Sequence, residues 1–115
     1  VNLYGINFYG SPWTSSRNMG FSANQKKIKE KWILIPSKDE DDCVDILLTH
    51  MPPFGIMDTA YNKDYNFKDR CDECGYIHKG YRHWGNIDLL KQVKQRIKPK
   101  AHLFGHVHQA IGYEV

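Results

Sequence analysis

Two stretches of this 115-residue chain carry histidine at the end of a short apolar run. Residues 44–49 are followed by His50, and residues 101–104 lead through one glycine to His106 and His108. Apolar runs of this length are typical of buried strands, and α/β proteins bind ligands at the carboxyl ends of their strands. Neutral imidazole nitrogens on such a rigid mount can bind one metal ion or two neighbouring ones.

The His-x-His spacing of the second run has a geometric consequence. In an extended backbone His106 and His108 project to the same side, while Val107 turns back toward the protein. Gly105 lets the backbone approach closely or take an unusual angle just before them. By itself the pair is a weak indicator, because six histidines in 115 residues give about 0.3 such pairs by chance. The alternative is a surface pair that is hydrogen-bonded to carbonyl groups.

A second group of potential ligands lies in the middle of the chain. Cys71 and Cys74 form a Cys-x-x-Cys pair, with His78 and His83 four and nine residues after Cys74. Cys71, Cys74 and His78 are therefore candidate ligands of a secondary zinc ion. Zinc motifs usually carry their second ligand pair after a longer element, so we favour cysteines in a solvent-exposed loop. A redox role is disfavoured because no helical pattern follows to lower the thiol pKa.

Composition restricts the compartment and the class of partner. The three cysteines, an odd number, do not make a disulfide framework, which indicates a reducing, cytoplasmic location. Sixteen Lys and Arg against thirteen Asp and Glu give a formal charge of +3, far short of a nucleic-acid footprint. The lysines of residues 26–31 are typical of the solvated face of an amphipathic helix. With no apolar stretch of about 20 residues either, we expect neither a nucleic-acid duplex nor a membrane as partner.

The length suits a single domain, and the pattern of the chain predicts an α/β architecture with strands flanked by short helices. Asn24 and Asn86 are predicted N-caps, and Pro36 and Pro99 stop the helices that follow them. The predicted strands are residues 1–4, 6–9, 44–49, 101–104 and 111–115, and the predicted helices are residues 25–32 and the stretch between Asn86 and Pro99.

The segment between the two histidine runs shows no helical period. It is rich in Gly, Asp, Asn, Tyr and Lys, so residues 51–85 are predicted to form a long loop, with residues 58–85 as its functional or inserted part. Its aromatic side chains either form a surface for a nucleobase or protein partner or pack the loop over the strand ends, which we favour. They are Tyr61, Tyr65, Tyr76, Tyr81 and Trp84. A non-catalytic binding module and a small zinc-binding loop protein are therefore alternative functions.

Three motifs, in order along the chain, carry a resemblance to a known family. They are residues 8–14 (FYGSPWT), 45–53 (DILLTHMPP) and 97–108 (IKPKAHLFGHVH), the last followed by Gly112. Together they resemble the C-terminal half of calcineurin-like metallophosphoesterases. Within that superfamily they are similar to the metallophosphoesterase-domain-containing (MPPED, or UPF0046-type) branch. The resemblance covers most of the chain apart from residues 58–82.

This resemblance implies the C-terminal half of a four-layer α/β sandwich with two divalent metal ions at its strand ends, residues 1–115 forming a partial domain. His50 and His106 then correspond to ligands of the second metal, and His108 to a ligand of the first. The family uses Mn, Fe, Zn or Mg, and histidine-rich ligation favours a transition metal, with manganese as our choice. The implied activity is hydrolysis of a small phosphoester, as a phosphodiesterase that acts on nucleotides, cyclic nucleotides included.

Three other motifs of the family are missing from this chain. They are an Asp-x-His, a Gly-Asp that supplies the bridging carboxylate, and a Gly-Asn-His that assists the leaving group; Gly85-Asn86 is followed by Ile87 instead. Three imidazoles without that carboxylate do not make a two-metal site, so the catalytic residues stay unassigned. Because Val1 and Val115 also look like cut ends, we expect a longer intact enzyme and an inactive 115-residue chain.

Overall fold

The computed structural model describes residues 1–15, 20–63 and 70–115. These residues form a four-stranded sheet, a separate two-stranded ribbon, and helices. None of the helices in these ranges has the length and apolar character needed to cross a bilayer. The strands are β1 (Asn2–Leu3), β2 (Ile6–Ser11), β3 (Ile46–Thr49), β4 (Thr59–Tyr61), β5 (Tyr81–His83) and β6 (Ala101–Phe104), and the α-helices are α1 (Gln25–Ile33) and α2 (Ile87–Gln92).

The main sheet has the strand order β1-β2-β3-β6. β1 runs antiparallel to β2, whereas the β2–β3 and β3–β6 pairs are parallel. Ser11, Thr49 and Phe104 are in register across the three parallel strands, so these strands end at the same edge. The predicted α/β architecture is confirmed, and the four-layer arrangement stays a prediction.

Helix α1 begins at its predicted cap. The Asn24 side chain accepts a hydrogen bond of 3.0 Å from the backbone N–H of Lys27, which satisfies one of the free donors of the first turn. Ile28 and Trp32 point inward and are fully buried. The lysines between them lie on the outer face, as the sequence predicts, and the Lys31 ammonium lies 4.6 Å from the centre of the Trp13 ring.

Helix α2 also begins at its predicted cap, where the Asn86 side chain accepts hydrogen bonds from the backbone N–H groups of Asp88 and Leu89. The helix does not end in regular geometry. It continues as a π-helical segment, Val93–Ile97, which Lys98 ends in the left-handed conformation with φ of 44°. The following proline prevents a further turn.

Arg96, in the π-helical segment, joins the two helical regions. Its guanidinium donates hydrogen bonds to the carbonyls of Trp32, at 2.9 Å, and Ile35, at 2.5 Å. Carbonyls in the last turn of a helix lack partners within the helix, and a cation there interacts favourably with the helix dipole. Arg96 therefore closes the carboxyl end of α1.

The helices cover one face of the sheet. Leu47 belongs to the buried core and shares its face with Tyr9 and His102, which are in register with it. Side chains alternate along a strand, so the neighbouring positions point to the other face. There Leu48 and Leu103 are 42% and 53% exposed. The core residues are Ile28, Trp32, Ile35, Val44, Leu47, Met51, Leu89 and Ile97.

Two secondary-structure predictions are wrong. Residues 111–115, predicted as a strand, have no regular structure, because within the described residues β6 pairs with β3 alone and offers them no neighbour. Residues 51–85 are not a continuous loop, because they contain the antiparallel ribbon of β4 and β5. Strands of three residues are too short to produce a readable period in the sequence.

Candidate metal centres at the strand ends and beside the ribbon

The backbone ties the two histidine-bearing strand ends together. The N–H of His50 donates to the carbonyl of Ser11 at 3.1 Å, and the carbonyl of His50 accepts from the N–H of Gly105, also at 3.1 Å. These bonds extend the parallel ladder by one residue beyond Thr49 and Phe104. The side chains that follow β3 and β6 therefore emerge at one edge, as the sequence predicts.

His50 and His106, here called the strand-end pair, are in direct contact. Nε2 of His50 lies 3.0 Å from Nδ1 of His106, and the ring centres are 4.9 Å apart. Two imidazole nitrogens at this distance either share one proton in a hydrogen bond or direct their lone pairs toward a common ion. The structure thus brings two of the three predicted strand-end ligands together.

His106 is held in an unusual backbone conformation. Its φ is +72°, and the N–H of Val107 donates to the carbonyl of Gly105 at 2.9 Å, which makes a γ-turn centred on His106. A residue with a side chain is strained in this region, and such strain is concentrated at functional sites. The predicted extended backbone is therefore wrong, and the unusual angle falls on His106 rather than on Gly105.

The two histidines of the His-x-His pair differ in burial. Val107 is buried, as the sequence predicts, but His108 is exposed. Burial lowers the pKa of His106, and the neighbouring His50 and His108 lower it further. His106 therefore stays neutral near neutral pH, which is the form that binds metal ions. Within the described ranges, no group of three or more His, Cys, Asp or Glu donors that could hold an ion includes the strand-end pair.

A histidine that the sequence did not single out supports this edge. His102 Nε2 lies 2.8 Å from Thr49 Oγ1, and that hydroxyl donates its single proton to the carbonyl of Met51 at 2.7 Å. Nε2 of His102 must therefore carry a proton and donate to Thr49. Burial lowers the pKa of His102 to about 4, so the ring is neutral at physiological pH. His102 fixes the turn that begins with Thr49 and contains His50.

The ribbon reaches the strand ends through Trp84. The Trp84 ring lies 5.3 Å from the His106 ring, centre to centre. The backbone N–H of Trp84 donates to the carbonyl of Asp58 at 2.8 Å, which fixes the residue after β5 to the residue before β4. Trp84 therefore covers part of the strand-end pair.

The other aromatic residues of this segment lie outside that contact. Tyr61 and Tyr81 pack edge to face across the ribbon, 5.6 Å apart, and both stay exposed. Tyr76 is 75% exposed. Tyr65 lies outside the described residues. The segment thus combines a packing aromatic at the strand ends with exposed tyrosines.

The candidate zinc ligands come together with a fourth residue. One donor atom from each of Cys71, Cys74, His78 and His83, here called the Cys/His cluster, lies within 4.8 Å of the other three. Both cysteines lie in a loop, as expected, but they are half-buried rather than fully exposed to solvent. The second pair of ligands is His78, which the sequence analysis named as a candidate, and His83, which it noted nearby without counting it as a ligand. His83 reaches the cluster because β5 pairs with β4.

The environment of Cys71 favours its thiolate. Burial raises the pKa of this thiol, but the backbone N–H groups of Cys74 and Glu73 and the nearby His78 side chain lower it to about 7. The pKa of His78 is raised, mainly by its interaction with the nearby Cys71. Thiolates are the form in which cysteines bind metal ions.

Comparisons with known proteins place the chain among a set of relatives. A scan against models of protein families finds no match. A UPF0046 protein of Caenorhabditis elegans is 40% identical over 110 residues, which are 95% of this chain and 32% of that protein. Human metallophosphoesterase domain-containing protein 1 is 33% identical over 114 residues, 97% of this chain and 28% of that protein. A second UPF0046 protein of Caenorhabditis elegans is 35% identical over 97% of this chain and 23% of its own length.

This chain is a relative of the UPF0046 and metallophosphoesterase domain-containing proteins. The resemblance indicated by the three sequence motifs is thereby confirmed along almost the whole chain. The chain spans about a third or less of the length of each of these relatives. The name of the human relative indicates a metallophosphoesterase domain, that is, a hydrolase of the metal-dependent phosphoesterase class.

Proposed function

We propose that this chain contributes histidine ligands to the metal centre of a phosphoester hydrolase. The observation that carries the proposal is the 3.0 Å contact between His50 Nε2 and His106 Nδ1 at the carboxyl edge of a parallel sheet. The metallophosphoesterase name of the relatives supports the reaction class. The substrate class is a small phosphoester, with phosphodiesters such as cyclic nucleotides included.

The donor atoms of the strand-end pair suit a transition metal. Imidazole nitrogens favour manganese, iron or zinc over magnesium, which prefers oxygen ligands. Two nitrogens bound to one tetrahedral ion lie about 3.3 Å apart, close to the separation in the strand-end pair. When bound, such an ion polarises a phosphoryl oxygen and so supplies the charge stabilisation that phosphoester hydrolysis needs.

The residues around the pair have separate roles in this proposal. His102 and Thr49 hold the turn that carries His50, and the γ-turn directs the His106 ring toward His50. Trp84 covers one side of His106 and limits the access of water there. His108 is exposed beside the pair, where it is free to bind the other ion of a two-metal centre or a phosphate group.

The strand-end pair is only part of a two-metal centre. Among the described residues, neither aspartate nor glutamate joins His50 and His106 in a group of three donors that could share an ion. We therefore propose that a longer protein supplies the bridging carboxylate and that the 115-residue chain does not hydrolyse phosphoesters by itself.

The test uses Mn²⁺, because this ion binds thiolate ligands weakly and is therefore not expected to occupy the Cys/His cluster. Electron paramagnetic resonance of a Mn²⁺ titration should show binding to the purified chain that His50→Ala and His106→Ala each abolish. Lys94→Ala, on the exposed surface, is the matched control and should bind Mn²⁺ as the unaltered chain does. Mn²⁺ binding that survives both histidine substitutions would refute the assignment of the strand-end pair.

Activity is tested separately with bis(4-nitrophenyl) phosphate and Mn²⁺. The purified chain should release no nitrophenol above the rate seen with Mn²⁺ alone. A metal-dependent rate that His106→Ala abolishes would show that the chain is active by itself and that the proposed division of the site is wrong.

A further inference from the structure

We propose that Cys71, Cys74, His78 and His83 bind one zinc ion, and that this ion fixes the ribbon against the strand ends. The proposal is independent of the phosphoester chemistry, because the Cys/His cluster shares no residue with the strand-end pair. It rests on the position of the four donor atoms, on the hydrogen bonds of the two imidazole rings and on a buried carboxylate behind one of them.

The donor atoms are already close to the arrangement that zinc requires. Zinc binds cysteine sulfur at about 2.3 Å and histidine nitrogen at about 2.0 to 2.1 Å, so ligand atoms around one tetrahedral ion are about 3.3 to 3.8 Å apart. The four donors lie within 4.8 Å of one another. Movements of about 1 Å would bring them into contact with one ion. Two sulfurs and two nitrogens form the ligand set of a structural zinc site.

The hydrogen bonds of the two rings fix which nitrogen is free. Nδ1 of His78 lies 2.6 Å from the carbonyl of Tyr81, and Nδ1 of His83 lies 2.9 and 3.0 Å from the two carboxylate oxygens of Asp58. A carbonyl or carboxylate oxygen accepts, so in both rings Nδ1 carries the proton. The lone pair of each neutral ring is therefore on Nε2, the atom that faces a metal in such sites.

Both of these Nε2 atoms are buried without a conventional hydrogen-bond partner. The side chain of His83 is only 9% exposed. A buried polar atom without a partner costs about 1 to 3 kcal/mol, so two of them side by side call for an explanation. A zinc ion between the rings and the two cysteine sulfurs satisfies both atoms at once.

Asp58 supplies the charge that supports this site. It is 1% exposed, and its carboxylate accepts from His83 Nδ1 and from the N–H of Gly85 at 3.1 Å. A cation bound to the far nitrogen of the His83 ring would place positive charge beside this buried carboxylate. Carboxylate, histidine and zinc in this order are a recurrent arrangement in zinc proteins.

The position of His83 gives the ion a structural role. His83 ends β5 and is followed by Trp84, which contacts His106. Its ring also packs on Phe54, with 4.4 Å between the ring centres. An ion that links Cys71 and Cys74 to His83 therefore closes residues 71–83 into one unit and holds that unit beside the strand-end pair.

The experiment is a zinc determination on the purified chain by inductively coupled plasma mass spectrometry. We expect one zinc per chain, and none after Cys71→Ser or Cys74→Ser. Cys43→Ser is the matched control, because Cys43 is the third half-buried free cysteine and lies outside the cluster. It should keep the ion. Zinc retained in Cys71→Ser would overturn the proposal.

A second measurement uses the unaltered chain and therefore needs no variant. Zinc is removed from the unaltered chain with a chelator and replaced by Co²⁺. We expect the strong visible bands of tetrahedral Co²⁺ and a near-ultraviolet band from thiolate to Co²⁺. Octahedral Co²⁺ bands, or the absence of the thiolate band, would overturn the proposal.

Two further variants separate this site from the strand ends and from a merely structural Asp58. His106→Ala should keep the zinc; zinc lost in His106→Ala but kept in Cys71→Ser would place the ion at the strand-end pair and leave the proposed function standing. Asp58→Asn keeps the size of the side chain and should weaken zinc binding about 10- to 100-fold. Unchanged zinc affinity in Asp58→Asn would show that the carboxylate does not support zinc binding.

Discussion

Thr49 and His102 lie on adjacent parallel strands, and a 2.8 Å hydrogen bond joins the hydroxyl of the first to Nε2 of the second. Thr49 passes its own proton to the carbonyl of Met51. The bond therefore exists only while the His102 ring donates from Nε2. This chain of two hydrogen bonds holds the residues on both sides of His50 in place.

The first prediction concerns pH. Because burial lowers the pKa of His102 from 6.5 to about 4 in the folded chain, the unfolded chain binds more protons between these two values. The free energy of unfolding should therefore fall as the pH drops from about 6.5 to about 4, by at most about 3 kcal/mol from this residue. Urea unfolding at a series of pH values measures it. His102→Gln can make the same donation without titrating, and an equally steep fall in that variant would contradict the prediction.

The second prediction concerns the γ-turn at His106. Alanine at this position keeps the strain of a φ of +72°, whereas glycine does not. We therefore expect His106→Gly to be about 1 kcal/mol more stable than His106→Ala, although both lose the imidazole. Gln109 has no positive φ and serves as the control, where the order of the Gly and Ala variants should reverse. Chemical denaturation of the four variants decides, and the same order at both positions would be inconsistent with the turn.

The third prediction concerns the contact between the ribbon and the turn after β3. A Cβ atom on Gly85 would lie 2.5 Å from the Pro53 carbonyl oxygen and 2.7 Å from Asp58 Oδ2. Gly85→Ala should therefore lower the free energy of unfolding by about 2 kcal/mol or more, because a backbone carbonyl cannot move aside easily. Gly10→Ala has open space around the new atom and is the control. Equal thermal unfolding of the two variants would disprove the close approach.

The fourth prediction concerns Arg96. Arg96→Ala leaves the carbonyls of Trp32 and Ile35 without their charged donor, and we expect a loss of about 1 to 3 kcal/mol. Lys94→Ala removes a charge from the exposed side of the same segment and should change the stability by less than about 0.5 kcal/mol. Thermal unfolding of both variants measures the difference. Similar losses would show that the hydrogen bonds of Arg96 to the two carbonyls do not contribute to stability.

Features that depend on neighbours in the sequence could be predicted. Asn24 and Asn86 are caps because a short polar side chain before an apolar period can reach the free N–H groups of the next turn. Residues 44–49 and 101–104 contain the parallel strands because their apolar runs match the length of a buried strand. The contact of His50 with His106 follows from that, because parallel strands end at one edge.

Features that depend on pairing between distant segments could not be predicted. His83 joins the Cys/His cluster only because β5 pairs with β4, and neither strand is long enough to be recognised. The sequence cannot distinguish His102 from a metal-binding histidine. Only its burial and its hydrogen bond with Thr49 show that it supports the strand ends. The γ-turn at His106 could not be predicted, because the neighbouring Gly105 is the residue at which an unusual backbone angle is expected.

The order of the parallel strands has a kinetic consequence. β3 lies between β2 and β6, which come from distant parts of the chain, so each pairing closes a long loop. Contacts of this kind form slowly, whereas helices form rapidly from local contacts. The two imidazoles of the strand-end pair follow β3 and β6, so they meet only when these two strands have paired. We therefore expect the two imidazoles to meet late in folding, after the local contacts of the helices have formed.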